Sequence, residues 1–214
     1  MTPSELAKLH PQLFHLCERD AVDAILRHGL WSTRRLLAGA ALSVEEREVL
    51  LARRRPAALR LRHAEFGPVT INDNLPLSEK KLAACLDDGL TPADWLGILN
   101  GKVFFWARRA DADTLLGAAG NAGRSKALLA FDTRSLLEAH GARAAIAAIN
   151  TGQTRFPLKQ AARRGLSTFA PLSAVDYPLW RRAGGGRSPR SIKEVVIEDG
   201  APDAARHLVE VLHI

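Results

Sequence analysis

The stretch that most constrains the fold lies near the C-terminus, at Ser191-Ile192-Lys193-Glu194-Val195-Val196-Ile197. β-Branched residues dominate it and a Glu198-Asp199-Gly200 turn closes it, the pattern of a short strand. Side chains alternate along a strand, so Glu194 leaves in the same direction as Ile192 and Val196. A carboxylate that shares a direction with two large aliphatics must be bonded, neutralised or put to use, because burying it unpaired is costly. The bland alternative is an acid at the start of a strand with its tip in water.

The 214 residues, 47% of them hydrophobic, suffice for a core and suit one domain, or one domain with an insertion. No run of about 18 apolar residues is present, and the N-terminus lacks a basic-then-apolar signal pattern, so the sequence reads as soluble and cytoplasmic, with no membrane partner. Cys17 and Cys85 have no CxxC-type companions and read as buried thiols in a reducing compartment; no metal site is expected.

The formal charge is +7, and its distribution is uneven. Arg53, Arg54 and Arg55 lead into Arg60 and Arg62. Later come Arg155, Lys159, Arg163, Arg164, Arg181, Arg182, Arg187, Arg190 and Lys193, with Asp176 the one acid among them. A chain rich in Ala and Arg acquires an arginine-covered surface without needing a partner. A run this one-sided also suits a phosphate-bearing partner, and Arg155, Lys159, Arg163, Arg164, Arg181 and Arg182 are the candidate nucleic-acid contacts.

In chain order, residues 1–10 read as a short helix and Leu13 to Leu16 as a strand. Asp20 to His28 reads as a helix capped by Asp20 and stopped by Gly29. A helical insertion is expected over about 43–100, with Ser43 and Thr91-Pro92 as helix starts and a turn-rich stretch over 64–77. Val103-Phe104-Phe105-Trp106 is an aromatic strand, either core or a flat wall for a planar ring. Strands are expected at Lys126 to Asp132 and Leu208 to Leu212, while Ala144 to Ile149 is ambiguous between helix and strand. No repeat, coiled coil or Walker-type loop appears, and strands broken by irregularly spaced helices predict an α+β fold.

Three marks follow one another: Phe14-His15-Leu16 before a helix and Gly29-Leu30, the aromatic strand, and Lys193-Glu194-Val195-Val196-Ile197 closing on Pro202. In this order the chain resembles the ADP-ribosyltransferase superfamily in its His–aromatic–Glu branch, and within it the DNA-modifying DarT toxins and related bacterial domains. The resemblance implies a split, two-sheet α+β core with surrounding helices and NAD in the cleft. It implies that His15 binds the ribose of NAD, that Phe104, Phe105 and Trp106 wall the nicotinamide, and that Glu194 is the catalytic carboxylate. Where the family offers a tyrosine, this chain offers Phe and Trp; for the catalytic arginine of the toxins, Arg60 and Arg62 are the candidates.

The residue types suit that chemistry. Cleavage of the nicotinamide–ribose bond builds positive charge on the sugar, as in glycoside cleavage, and a fixed carboxylate stabilises it. A neutral imidazole accepts at one nitrogen and donates at the other, which suits a ribose hydroxyl. The expectation is therefore an NAD-dependent ADP-ribosyltransferase acting on a nucleic-acid base, a toxin with a possible antitoxin or hydrolase partner. The alternatives are the same fold acting on a protein or small-molecule acceptor, an RNA 2′-phosphotransferase, and a non-catalytic basic nucleic-acid-binding domain.

Overall fold

The computed structural model describes residues 1–117, 123–154, 162–183 and 189–213. The chain starts with α1 (Pro3–Leu9), β1 (Gln12–Glu18), α2 (Val22–His28), β2 (Leu30–Trp31) and α3 (Thr33–Ala38). A middle section holds α4 (Val44–Ala52), the hairpin β3 (Leu59–His63) and β4 (Gly67–Ile71), α5 (Glu79–Ala83) and α6 (Pro92–Asn100). Next come β5 (Lys102–Trp106), α7 (Arg109–Leu116), β6 (Lys126–Asp132), α8 (Thr133–His140), β7 (Ala144–Ala147) and β8 (Ala170–Pro171). The last elements are α9 (Tyr177–Arg182), β9 (Glu194–Glu198), β10 (Gly200–Ala201) and β11 (Leu208–His213). No helix among the described residues is long and apolar enough to cross a membrane.

The architecture is α+β. One seven-stranded antiparallel sheet runs β11-β6-β1-β5-β9-β7-β8. β1 pairs with β6 from Gln12 to Glu18, and β5 pairs with β9 from Lys102 to Trp106. Between these two halves, β1 meets β5 at one residue pair, Phe14 opposite Trp106. The ladder thus consists of two well-knit groups of strands with a narrow joint.

One face of the sheet carries the main core. Leu13, Phe105, Leu129, Ile146, Val195 and Ile197 are sealed from solvent there, with Leu6 of α1 and Leu136 of α8 in the same cluster. Each such side chain contributes about 1.5–3 kcal/mol relative to exposure. On the opposite face Phe14, Leu128 and Ala130 pack with Leu16 and Trp106. Burial on both faces explains why β6 reads as a continuous apolar run and not as an alternation.

The middle section has its own apolar cluster of Leu77, Leu82, Cys85, Trp95 and Leu96. Its helices start as the sequence predicts: the Thr91 hydroxyl accepts from the Asp94 amide at 3.2 Å, and the Asp94 carboxylate accepts from the Thr91 amide at 2.8 Å. It is not purely helical, because the β3–β4 hairpin occupies much of the stretch expected to be turns. Gly67 takes φ +72° where β4 begins, and Arg60 and Arg62 point outward from β3. Arg55 is a structural residue, donating to the carbonyls of Leu50 (2.8 Å) and Asn72 (3.1 Å) and to Asn100 Oδ1 (3.1 Å). Burial draws its pKa down to about 10.

Asp20 does not cap α2. A 3-10 turn at Arg19–Ala21 leads into the helix, Ala21 is the capping position, and Asp20 instead pairs with the exposed Arg60 at 2.6 Å. Downstream, β2 pairs with β10 just after the Glu194-bearing strand. Gly29 closes α2 at φ +86°, and a Cβ there would fall 2.3 Å from the Pro202 carbonyl oxygen. No side chain fits between these two backbones. Within the ambiguous segment Ala144 to Ile149, Ala144–Ala147 form β7, which pairs with both β9 and β8.

Candidate active site

Glu194 opens β9, opposite Trp106 on β5 and Ala147 on β7. Beyond Ala147 the chain turns back through Asn150–Gly152 and lays Thr151 over the acid. The Thr151 amide donates to both carboxylate oxygens at 3.3 Å, and its hydroxyl donates to Oε2 at 2.8 Å. Glu194 is 4% exposed. Burial pushes its carboxyl up to about 7, against the hydrogen bonds from Thr151 and the charges of Arg164 and Lys193 that pull it down. A carboxyl balanced near neutrality can act in either protonation state at ordinary pH.

The turn over the acid is held in place from behind. Trp95 Nε1 and Arg164 Nε both donate to the Thr151 carbonyl at 3.4 Å. The Arg164 guanidinium also donates to the carbonyls of Asn150 (3.3 Å) and Gln153 (2.6 Å). Arg164 is buried, so its expected role as a nucleic-acid contact is corrected: its donors are spent on this chain's own backbone. Thr151 carries no signal in the sequence, since only the β7–β9 pairing brings it to Glu194.

His15 sits on β1 beside the joint. Its Nδ1 lies 2.9 Å from the Phe104 carbonyl of β5. A carbonyl only accepts, so Nδ1 carries the proton and Nε2 presents a lone pair. Burial draws the His15 pKa down, opposed by the bond to the Phe104 carbonyl, and the ring is neutral at ordinary pH. His15 is half-buried, and Nε2 makes no hydrogen bond within the described chain.

The register separates the two candidate residues. Trp106 faces Phe14 on one side and Glu194 on the other, so these three leave the sheet together. His15 is next to Phe14 and alternates to the other face, its ring 5.8 Å from that of Phe105. Two inter-strand steps, about 10 Å, separate the backbones of β1 and β9. The side chains therefore depart from opposite faces on either side of the narrow joint.

The aromatic strand divides as alternation demands. Phe104 and Trp106 are half-buried on the Glu194 face, and Phe104 makes an edge contact with Phe169 at 6.3 Å. Phe105 is wholly enclosed and packs edge-on against Phe131 at 5.6 Å. It belongs to the core and offers no face to a ligand. Two surface concavities, one near Arg54 to Glu79 and one between Glu18, Arg60 and Arg124, are lined by neither His15 nor Glu194.

Among the basic candidates, Arg181 and Arg182 end α9 in solvent. Arg163 is exposed, pairs with Asp87 and donates to the Leu86 carbonyl at 2.8 Å. Arg155 and Lys159 lie outside the described residues. Arg60 and Arg62 project from the β3–β4 hairpin. Residues 11–208 match the model of a family described as "Family of unknown function (DUF7002)". No curated protein matches the chain.

Proposed function

The chain belongs to the DUF7002 family, and from its own geometry we propose that it is an NAD-dependent ADP-ribosyltransferase that modifies a nucleic-acid base. The observation that carries this reading is the joint at Phe14–Trp106, with the His15 strand on one side and the Glu194 strand on the other. The expected two-sheet split is here one seven-stranded sheet, and what supports the reading is that its pairing thins to a single residue pair between β1 and β5. In this reading the sugar of NAD lies where β1 and β5 diverge, beside the half-buried His15 ring.

In this mechanism the His15 Nε2 lone pair accepts from a ribose hydroxyl while Nδ1 stays tied to the Phe104 carbonyl. Trp106 and Phe104 flank the nicotinamide on the Glu194 face. The ionised Glu194 stabilises the positive charge that develops on the ribose as the bond to nicotinamide breaks. Its raised pKa then favours taking a proton from the attacking base. The exposed Arg60, Arg62, Arg181 and Arg182 and the net charge of +7 support a polyanionic acceptor. A toxic activity of this kind calls for an antitoxin or a hydrolase that removes the mark.

The test is incubation with NAD and single-stranded DNA or RNA, read by mass spectrometry of the nucleic acid, for wild type and Glu194→Ala. Addition of one ADP-ribose by wild type alone supports the assignment; equal signals from both proteins overturn it. Modified peptides with unmodified nucleic acid would move the acceptor to protein. One observation favours a second reading, a non-catalytic basic nucleic-acid-binding domain: Glu194 is sealed beneath Thr151. That reading requires salt-sensitive nucleic-acid binding with no thermal shift on adding NAD.

A further inference from the structure

We propose that His140, Asp203 and His207 form a site for one divalent transition-metal ion of the zinc type, bracing the end of α8 against the segment that leads into β11. This site is separate from Glu194. His140 is the last residue of α8, and Asp203 and His207 bound a single 3-10 turn before β11. One ligand atom from each lies within 4.8 Å of the others.

The argument starts from His207. The residue is 7% exposed, Nδ1 lies 2.7 Å from the Ser135 hydroxyl, and Nε2 makes no hydrogen bond. Nε2 nevertheless faces Asp203 Oδ2 at 3.4 Å. The Ser135 hydroxyl can accept from Nδ1–H or donate to Nδ1; in the tautomer in which it accepts, the buried Nε2 lone pair meets the Asp203 carboxylate oxygen, and a cation between the two makes that arrangement favourable. Bonds of about 2.0–2.2 Å in a tetrahedron set ligand atoms about 3.3–3.6 Å apart, so this pair already has the required spacing. Ser135 then serves as the outer partner that fixes the ring and its tautomer.

His140 supplies the third ligand by changing tautomer. Its Nε2 lies 2.6 Å from Asp203 Oδ1, and its Nδ1 lies 3.1 Å from Arg143 Nη2. Arg143 can only donate, so the proton sits on Nε2 and is shared with Asp203. As an ion takes the Nε2 lone pair, the single ring proton moves from Nε2 to Nδ1 by way of solvent, with none gained or lost overall, and Arg143, which donates to Nδ1 in the empty site, turns away. Arg143 is thus a competitor of the metal. Two imidazoles and one carboxylate suit zinc better than hard cations that prefer all-oxygen shells or soft ions that prefer sulfur. Asp203 is part-exposed, its side chain 32% accessible, which leaves water to complete the shell.

The experiment is calorimetric titration of zinc chloride into the metal-stripped full chain, with the visible spectrum of the cobalt-substituted protein as a second readout. The expected result is one saturable equivalent, a tetrahedral cobalt band and a raised melting temperature. His207→Ala and Asp203→Asn lose the site, Ser135→Ala weakens it about 10–100-fold, and Arg143→Gln tightens it. Should His207→Ala fail to fold, Ser135→Ala and Arg143→Gln keep all three ligands and still read the site. Absence of one-site binding, unchanged affinity in His207→Ala, or affinities for Ser135→Ala and Arg143→Gln equal to wild type would each overturn the proposal.

Discussion

Thr151 holds Glu194 with its backbone and its side chain at once, the amide reaching both carboxylate oxygens and the hydroxyl reaching Oε2 at 2.8 Å. Even so, burial outweighs these bonds and lifts the carboxyl to about 7. The folded state therefore holds a proton that the unfolded chain releases near the ordinary value of 4.5. Stability is greatest below that value and falls as pH rises from there through about 7, by about 3 kcal/mol in total. Glu194→Gln cannot ionise and should flatten this dependence, gaining up to about 3 kcal/mol at pH 8 while abolishing any transferase activity. Urea unfolding of both proteins at pH 5 and pH 8 checks it, and parallel curves for the two would contradict it.

Thr151→Val keeps the shape and the amide but removes the hydroxyl that favours the charged form. Stability should fall by about 1–2 kcal/mol. On the proposed function, in which the ionised Glu194 is the active form, NAD turnover should rise with pH around 7 in the wild type and at higher pH in the variant. A pH–rate profile of each protein is the measurement, and a midpoint that does not move would remove Thr151 from the positioning of Glu194.

Phe105 and Trp106 are neighbours with different duties. Phe105→Ala should cost about 3–5 kcal/mol, because removing the fully enclosed ring leaves a cavity against Phe131. Trp106→Ala, at a half-buried position beside Glu194, should cost less stability and lose more NAD affinity. Chemical denaturation and NAD titration of the two variants should rank them in opposite orders.

Arginines on this chain also divide by role. Replacing Arg181 and Arg182 together with Ala should lower the salt dependence of single-stranded DNA binding by about 0.7 in log–log slope for each phosphate left without its cation, with stability unchanged. Arg164→Ala should instead destabilise the protein by about 3 kcal/mol or more, since it strips donors from the carbonyls of Asn150, Thr151 and Gln153. Binding isotherms at several salt concentrations and melting curves separate the two effects.

Much of the frame is legible in the sequence because it rests on local signals. The Thr91-Pro92 helix start, the aromatic strand, the buried strand from Lys126 and the strand at Glu194 are all where their patterns put them. The β3–β4 hairpin is hidden because Gly67-Pro68 reads as a break while Leu59 to His63 is masked by arginines. The assembly of the site is less legible for a different reason. Thr151 reaches Glu194 across 43 residues of sequence through a strand pairing, and Arg164 looks like any surface arginine until the fold closes over it. Alternation within one strand is readable, but whether neighbouring strands bring His15 and Glu194 to the same face depends on register.

β1 is laced to β6 from Gln12 to Glu18 and β5 to β9 along its full length, yet β1 and β5 have a single register pair, Phe14 and Trp106, with the His15 imidazole bonding the Phe104 carbonyl beside it. The sheet therefore has a seam. Local opening costs least where backbone pairing is thinnest, so amides along β1 and β5 that face this gap should exchange with solvent earlier than those deep in either half. Under mild denaturant the molecule should part there first, into a piece carrying His15 and a piece carrying Glu194.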